Sequence, residues 1–177
     1  MLKKLVTEMG RIGREEFAQS KKLPLTVVLD NVRSLHNVGS VFRTSDAFRV
    51  ERVLLCGITA TPPHSEIHKT ALGAEDVVAW QYYPDTMQAV DALRGEGYGI
   101  YAIEQVQGSL SLQNFAVEEN KHYAVILGNE VKGVQQQVVD ACDGAIELPQ
   151  FGTKHSLNVS VTAGMVIWEF ARKFGWL

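Results

Sequence analysis

Short β-branched apolar runs, each bounded by Gly, Asp, Asn or Pro, alternate along this chain with segments of helical period. That alternation admits few folds: it is the pattern of an α/β domain built on a mainly parallel sheet flanked by helices. Strands are expected at Leu25–Leu29, Arg52–Cys56, Asp76–Ala79, Gly99–Ile103, Tyr123–Leu127 and Gly144–Glu147. Helices are expected from Lys3 to about Gln19, over Val38–Phe48, over Thr86–Arg94 behind Pro84, over Gln135–Ala141, and from about Leu157 to Lys173. The last carries Leu157, Val161, Met165 and Trp168 on one helix face, a stripe that suits a partner subunit or the intramolecular core equally. With 177 residues, 46% of them hydrophobic, and no repeat or linker, the chain reads as a single domain, residues 1–177.

Charge and cysteines narrow the class. The formal net charge of −3 argues against a protein that coats nucleic acid without discrimination. Residues 1–52, however, hold ten basic side chains against six acidic ones, a balance of +4 that leaves −7 for the remainder. A basic third on an acidic body fits a docking surface for a phosphate backbone, with Arg11, Arg14, Arg33 and Arg43 as candidate contacts. A solvated helix face explains residues 3–22 as well. No segment reaches the roughly 20 apolar residues of a membrane span, and the N-terminus lacks the apolar stretch of a secretion signal, so a soluble cytoplasmic protein is expected. Cys56 and Cys142 lie far apart with no CxxC, which suggests neither a disulfide framework nor a metal site.

Three segments place polar residues and glycines where a packed core does not require them. In residues 29–48 a strand ends at Asp30, a polar loop follows, and a helix opens near Asn37, with Gly39 permitting close approach of another backbone or a ligand. Arg43 follows Asn37 by less than two helical turns. In residues 125–134 an apolar strand runs into Gly128, Asn129, Glu130 and Gly133, at the strand end where open α/β sheets gather ligands. These glycines have neither dinucleotide-loop nor phosphate-loop spacing. In residues 147–170 a short strand meets Pro149, passes Gly152 and Lys154, and enters a helix where Ser156, Asn158 and Ser160 crowd the start; capping calls for one such residue, not three.

Taken in order, the three segments resemble the motifs of the SpoU/TrmH branch of the SPOUT methyltransferases. The N-x-G-x-x-x-R motif is Asn37, Gly39 and Arg43; L-G-N-E is Leu127 to Glu130; P-x-x-G-x-x-x-S-L-N-V-S is Pro149, Gly152 and Ser156 to Ser160. The match departs at Gln150, where a methionine or bulky apolar residue is common, and at Leu148, where isoleucine is frequent.

The resemblance implies a residue 25–177 core whose C-terminal segment forms a deep trefoil knot, preceded by a basic helical extension over residues 1–24, and a homodimer packed through the final helix. It implies S-adenosylmethionine as cofactor, touched by backbone groups of Gly128, Leu148 and Leu157, with Ile103, Leu127, Asn129 and Pro149 nearby, and no metal. It implies methylation of a ribose 2′-hydroxyl in structured RNA, tRNA being favoured over rRNA on size. Arg43 is then the central catalytic residue, oriented with the ribose and cofactor by Asn37, Glu130, Ser156 and Asn158. Because a guanidinium stays protonated, Arg43 suits the role of phosphate clamp and stabiliser of the developing alkoxide better than that of base, and Glu130 is the second choice as base. A catalytically idle RNA-binding member is the rival reading, and methylation of a base nitrogen a remoter one. A hydrolase built on His155 and Ser156, with Asp140 and Asp143 upstream, lacks a G-x-S-x-G elbow, and neighbouring side chains at a helix start do not face each other. Pro62 to His68 reads either as a loop over the cofactor side or an RNA groove, or simply as a solvated loop.

Overall fold

The computed structural model describes residues 2–177, so Met1, at the head of the expected N-terminal extension, lies outside the described residues. Seven strands form one sheet: β1 (Leu23–Asp30), β2 (Val50–Cys56), β3 (Trp80–Tyr83), β4 (Gly99–Ile103), β5 (Leu110–Ser111), β6 (Tyr123–Leu127) and β7 (Gly144–Glu147). Their order is β3-β2-β1-β6-β4-β7-β5, and every pairing is parallel. The helices are α1 (Arg14–Gln19), α2 (Leu35–Ala47), α3 (Ser65–Ala71), α4 (Thr86–Gly95), α5 (Gln136–Ala141) and α6 (Val159–Lys173).

Successive strand residues serve opposite layers. Val27, Leu55 and Val125 face α2, α3 and α6, while Val28, Leu54 and Ile126 face α4 and α5. A strand covered on both faces has no polar side to show, which is why β6 reads as an unbroken apolar run and β1 carries only the buried Thr26 before its end at Asp30. Helix starts follow side-chain chemistry: Ser34 caps α2, Asp85 caps α4, and Asn158 caps α6 by accepting the backbone N–H of Ser160 at 2.9 Å.

Several expectations need correction. The N-terminal helix from Lys3 is a 3₁₀ turn, Val6–Met9, followed by α1; Gly10 between them sits at φ +60°, left-handed backbone that ends a turn. Helix α2 opens two residues before Asn37, because Ser34 is its cap. Asp76–Ala79 is not a strand. Val78 is buried from a turn, and β3 follows it as an edge strand whose exposed Trp80 and Tyr82 lack the apolar signature. The segment through His68 is not simply a loop: α3 begins at Ser65 and buries Ile67 and Ala71 against the core. It explains Gly39, since a Cβ there would lie 2.2 Å from both the Ile67 carbonyl oxygen and Thr70 Oγ1. Strand β5, two residues long, is too short to leave a periodic trace. Finally, the stripe of Val161, Met165 and Trp168 is about half exposed; α6 turns Val159, Ala163, Val166, Ile167, Phe170 and Ala171 inward instead. The stripe thus lies outside the buried core, although Trp168 stacks edge to face on Phe48 of the same chain.

Helix α6 follows β7, on one half of the sheet, yet packs against α2 and β1 on the other. The connection, residues 148–158, must cross the carboxyl ends of β4 and β6, and this crossing builds the site.

Candidate active site

A cavity of about 660 Å³ opens at the carboxyl ends of β4, β6 and β7, beneath that crossing. Its apolar wall comes from Ile103, Leu127, Ile146, Leu148 and Leu157, and its rim from Gly128 to Gly133 and from His155, Ser156 and Asn158. The turn after β6 is compact: Asn129 and Gly133 exchange backbone hydrogen bonds of 3.0 and 2.9 Å, and a Cβ on Gly128 would meet the Gly133 carbonyl carbon at 2.0 Å. Only glycine fits there. Of the expected cofactor contacts, Gly128, Leu148, Leu157, Ile103, Leu127 and Asn129 line this cavity; Pro149 lines the groove beside it.

One hydrogen-bonded chain joins the three segments. Glu130 accepts the backbone N–H groups of Arg33 and Ser34 at 3.0 and 2.9 Å and the side-chain amide of Asn37 at 3.1 Å. Asn37 Oδ1 in turn accepts from Asn158 Nδ2 at 3.2 Å and from Ser160 Oγ at 3.4 Å. The crowding of polar residues at the start of α6 is thus resolved: Asn158 caps the helix with its oxygen and reaches Asn37 with its nitrogen. Partial burial disfavours a charged Glu130, but its backbone donors and Asn37 outweigh that and hold its carboxyl below the usual range. Such a carboxylate is an anchor for the start of α2, and a poor proton acceptor.

Ser156 lines the cavity and makes no side-chain hydrogen bond among the described residues. Arg43 is exposed, and its side chain makes no hydrogen bond or ion pair among the described residues. It stands about 9 Å along α2 from Asn37, on a helix that runs back from the cavity end of the sheet, so this chain alone does not bring Arg43 to the cavity. Its neighbour Thr44 lines a second, apolar groove of about 640 Å³ with Phe48, Leu148, Pro149, Met165 and Trp168. Arg11 and Arg33 are exposed, and Arg14 pairs with Asp76 at 3.0 Å. Sequence reasoning overlooked Glu104 and Gln105 on the cavity wall; the signal was two polar residues directly after the apolar run of β4, at a ligand-gathering strand end. Among the described residues no helix is long and apolar enough to cross a membrane, and no His, Cys, Asp or Glu group is arranged to hold a metal ion.

Comparison with known proteins places this geometry. The family model described as the SpoU rRNA Methylase family matches residues 24–168. A tRNA (guanosine(18)-2′-O)-methyltransferase of Thermus thermophilus is 32% identical over 167 residues, covering 94% of this chain and 84% of that protein. The crystal structure of an A. aeolicus TrmH/SpoU tRNA modifying enzyme superposes with a TM-score of 0.79 at 26% identity, over 90% of this chain and 80% of its own. That of an AdoMet-bound rRNA methyltransferase from Sinorhizobium meliloti shares the fold at a TM-score of 0.77 and 23% identity, covering 87% of this chain and 61% of its own. A match over residues 24–168 takes in all three motifs, Asn37 to Arg43, Leu127 to Glu130 and Pro149 to Ser160, and the chain belongs to the SpoU rRNA methylase family.

Proposed function

We propose that this chain transfers the methyl group of S-adenosylmethionine to a ribose 2′-hydroxyl of a structured RNA, tRNA in preference to rRNA. The observation that carries this reading is the hydrogen-bonded chain Glu130–Asn37–Asn158, which draws three segments distant in sequence to one cavity mouth. The relative from Thermus thermophilus, named for 2′-O-methylation of a tRNA guanosine, supports the choice of RNA and of position.

The cavity suits the cofactor. Its volume falls in the range of small-molecule sites. Ile103, Leu127, Leu148 and Leu157 offer apolar contact for a purine, the glycine turn exposes backbone groups, and Glu104 and Glu147 are carboxylates suited to a cation. When bound, the cofactor supplies an activated methyl group on a positively charged sulfur. The protein then has to hold the ribose oxygen in line with that group, which supplies much of the rate, and to accommodate the hydroxyl proton. Asn37, anchored by Glu130 and Asn158, and Ser156 with its free hydroxyl orient the ribose. Arg43 keeps its charge, clamps a backbone phosphate and stabilises the alkoxide as the proton passes to phosphate or water.

Arg43 reaches a cavity in a homodimer. The groove beside α6 exposes Val161, Met165 and Trp168, and Thr44 on its wall adjoins Arg43. A second copy seated there brings the α2 of each protomer toward the partner. The crossing of residues 148–158 is the closing pass of the trefoil knot; Arg11 and Arg14 add basic contacts outside the 25–177 core, and Arg33 adds one within it. Free thiols at Cys56 and Cys142 fit a reducing cytoplasm.

The test is tritiated methyl transfer to total tRNA and to rRNA, both from cells lacking this gene. Label in tRNA with the wild type, and at least ~100-fold less with Arg43→Ala at unchanged cofactor affinity, is expected. Label in rRNA alone reverses the substrate choice, and none in either pool despite cofactor binding leaves the idle RNA-binding reading.

A further inference from the structure

Glu104 is the first residue beyond β4, and it is tied down on three sides. Its backbone N–H donates to the Ile146 carbonyl at 3.1 Å, continuing the sheet by one rung. Its Oε2 accepts the backbone N–H of Val134 at 3.1 Å, and its Oε1 that of Gln105 at 2.9 Å. The carboxylate lies so close to the turn after β6 that a Cβ on Gly133 would come within 2.2 Å of it. Gln105, next in sequence, donates its side-chain amide to the His155 carbonyl at 2.9 Å and so pins the crossing loop to the same strand end. Glu104 is therefore fixed in place before any ligand arrives.

Two backbone donors use two of a carboxylate's four lone-pair positions. The other two are open, in a residue that lines the cavity. The remaining charged side chains of that wall are differently engaged: Glu130 is taken by α2, Lys132 is exposed on the turn, and Glu147 has no hydrogen-bond partner among the described residues to fix it. Glu104 alone combines a fixed position with spare acceptors. It also directly follows Ile103 of the apolar wall, so an acceptor stands one residue beyond the slot suited to a purine. The group adjoining the purine in an adenosyl compound is a ribose, whose two adjacent hydroxyls are donors seeking acceptors.

We propose that Glu104 is a specificity-determining residue that accepts the 2′- and 3′-hydroxyls of the cofactor's ribose, held for that purpose by Val134 and Gln105. The inference rests on the adenosyl-binding reading of the cavity given above. It sets a distinct requirement: the site discriminates a ribose from a deoxyribose, through this one carboxylate.

Calorimetric titration of the whole protein with S-adenosylhomocysteine and with its 2′-deoxy and 3′-deoxy counterparts tests it. The wild type should bind the ribose form about tenfold or more tightly than either deoxy form, the worth of a hydrogen bond to a charged group. Glu104→Gln keeps an acceptor for Val134 but presents an amide to the hydroxyls, and should bring the three affinities to within about twofold of one another. Glu104→Asp, which withdraws the carboxylate by one methylene, checks the result if the first variant is unstable, and should shrink the same ratio. A ribose preference that survives in both variants overturns the proposal, even if every affinity falls together, since that pattern marks a role confined to bracing the loops. A variant that instead loses S-adenosylmethionine while keeping the ribose preference overturns it in favour of pairing with the sulfonium. A wild type that binds none of these compounds sinks the adenosyl reading itself, and the proposal with it.

Discussion

Asn37 is half-buried, donates to Glu130 and accepts from Asn158 and Ser160, so every polar atom of its amide is engaged. Asn37→Asp removes the donor and sets a second carboxylate against Glu130; the like-charge contact should displace the start of α2 and lower kcat/KM about 100-fold or more, with cofactor affinity changed far less. Glu130→Gln replaces an acceptor facing two backbone N–H groups with an amide that can satisfy only part of that demand. Because folding lowers the Glu130 pKa, the stability it contributes is present in full above the ordinary glutamate value and is lost as pH falls through the lowered folded value. Urea unfolding should thus separate wild type from Glu130→Gln at pH 7, and the gap should close as pH drops below about 4; a gap undiminished at low pH would show that the carboxylate's charge is not what matters. Asn37, Glu130 and Asn158 came forward through the motifs of the SpoU/TrmH resemblance, since taken singly each is explained as well by a helix cap or a solvated turn. Glu104 was not singled out, since its significance depends on a partner 30 residues distant.

The strands β4, β6 and β7 fall where apolar runs between turn residues put them, because a doubly covered parallel strand is mostly apolar. What the sequence concealed were elements with no periodic signature: the seven-residue α3, the two-residue β5 and the exposed edge β3. Helix α3 matters beyond its size, for it is the close neighbour that forces glycine at position 39. Gly39→Ala must push α2 from α3 or bend it, an overpacking cost of about 1–3 kcal/mol. For a domain of this size that corresponds to a fall in Tm of roughly 2–12 °C, read by calorimetry. The shift of α2 would also disturb Asn37, so activity should decline more steeply than stability. An alanine variant of unchanged Tm would mean that the α2–α3 contact is looser than the structure describes.

For the whole molecule, the proposed homodimer would give the exposed face of α6 and the exposed Arg43 one shared role. Trp168 is 53% exposed and stacks edge to face on Phe48, with ring centroids 5.8 Å apart, at the groove where that copy is proposed to sit. Trp168→Glu puts a charge into the groove while leaving the inward face of α6 intact. Sedimentation should show a dimer for the wild type and a folded monomer for the variant, and the monomer should bind cofactor yet transfer no methyl group, because Arg43 has lost its partner site. A monomeric variant with full activity would return Arg43 to a surface role. The central claim, that the methyl group goes to a ribose oxygen, has a more direct test in the chemistry of the product. Alkaline cleavage of RNA needs a free 2′-hydroxyl, so RNA labelled by this protein should release its tritium in an alkali-resistant dinucleotide. Release of the label as a mononucleotide would place the methyl group on a base and contradict the account.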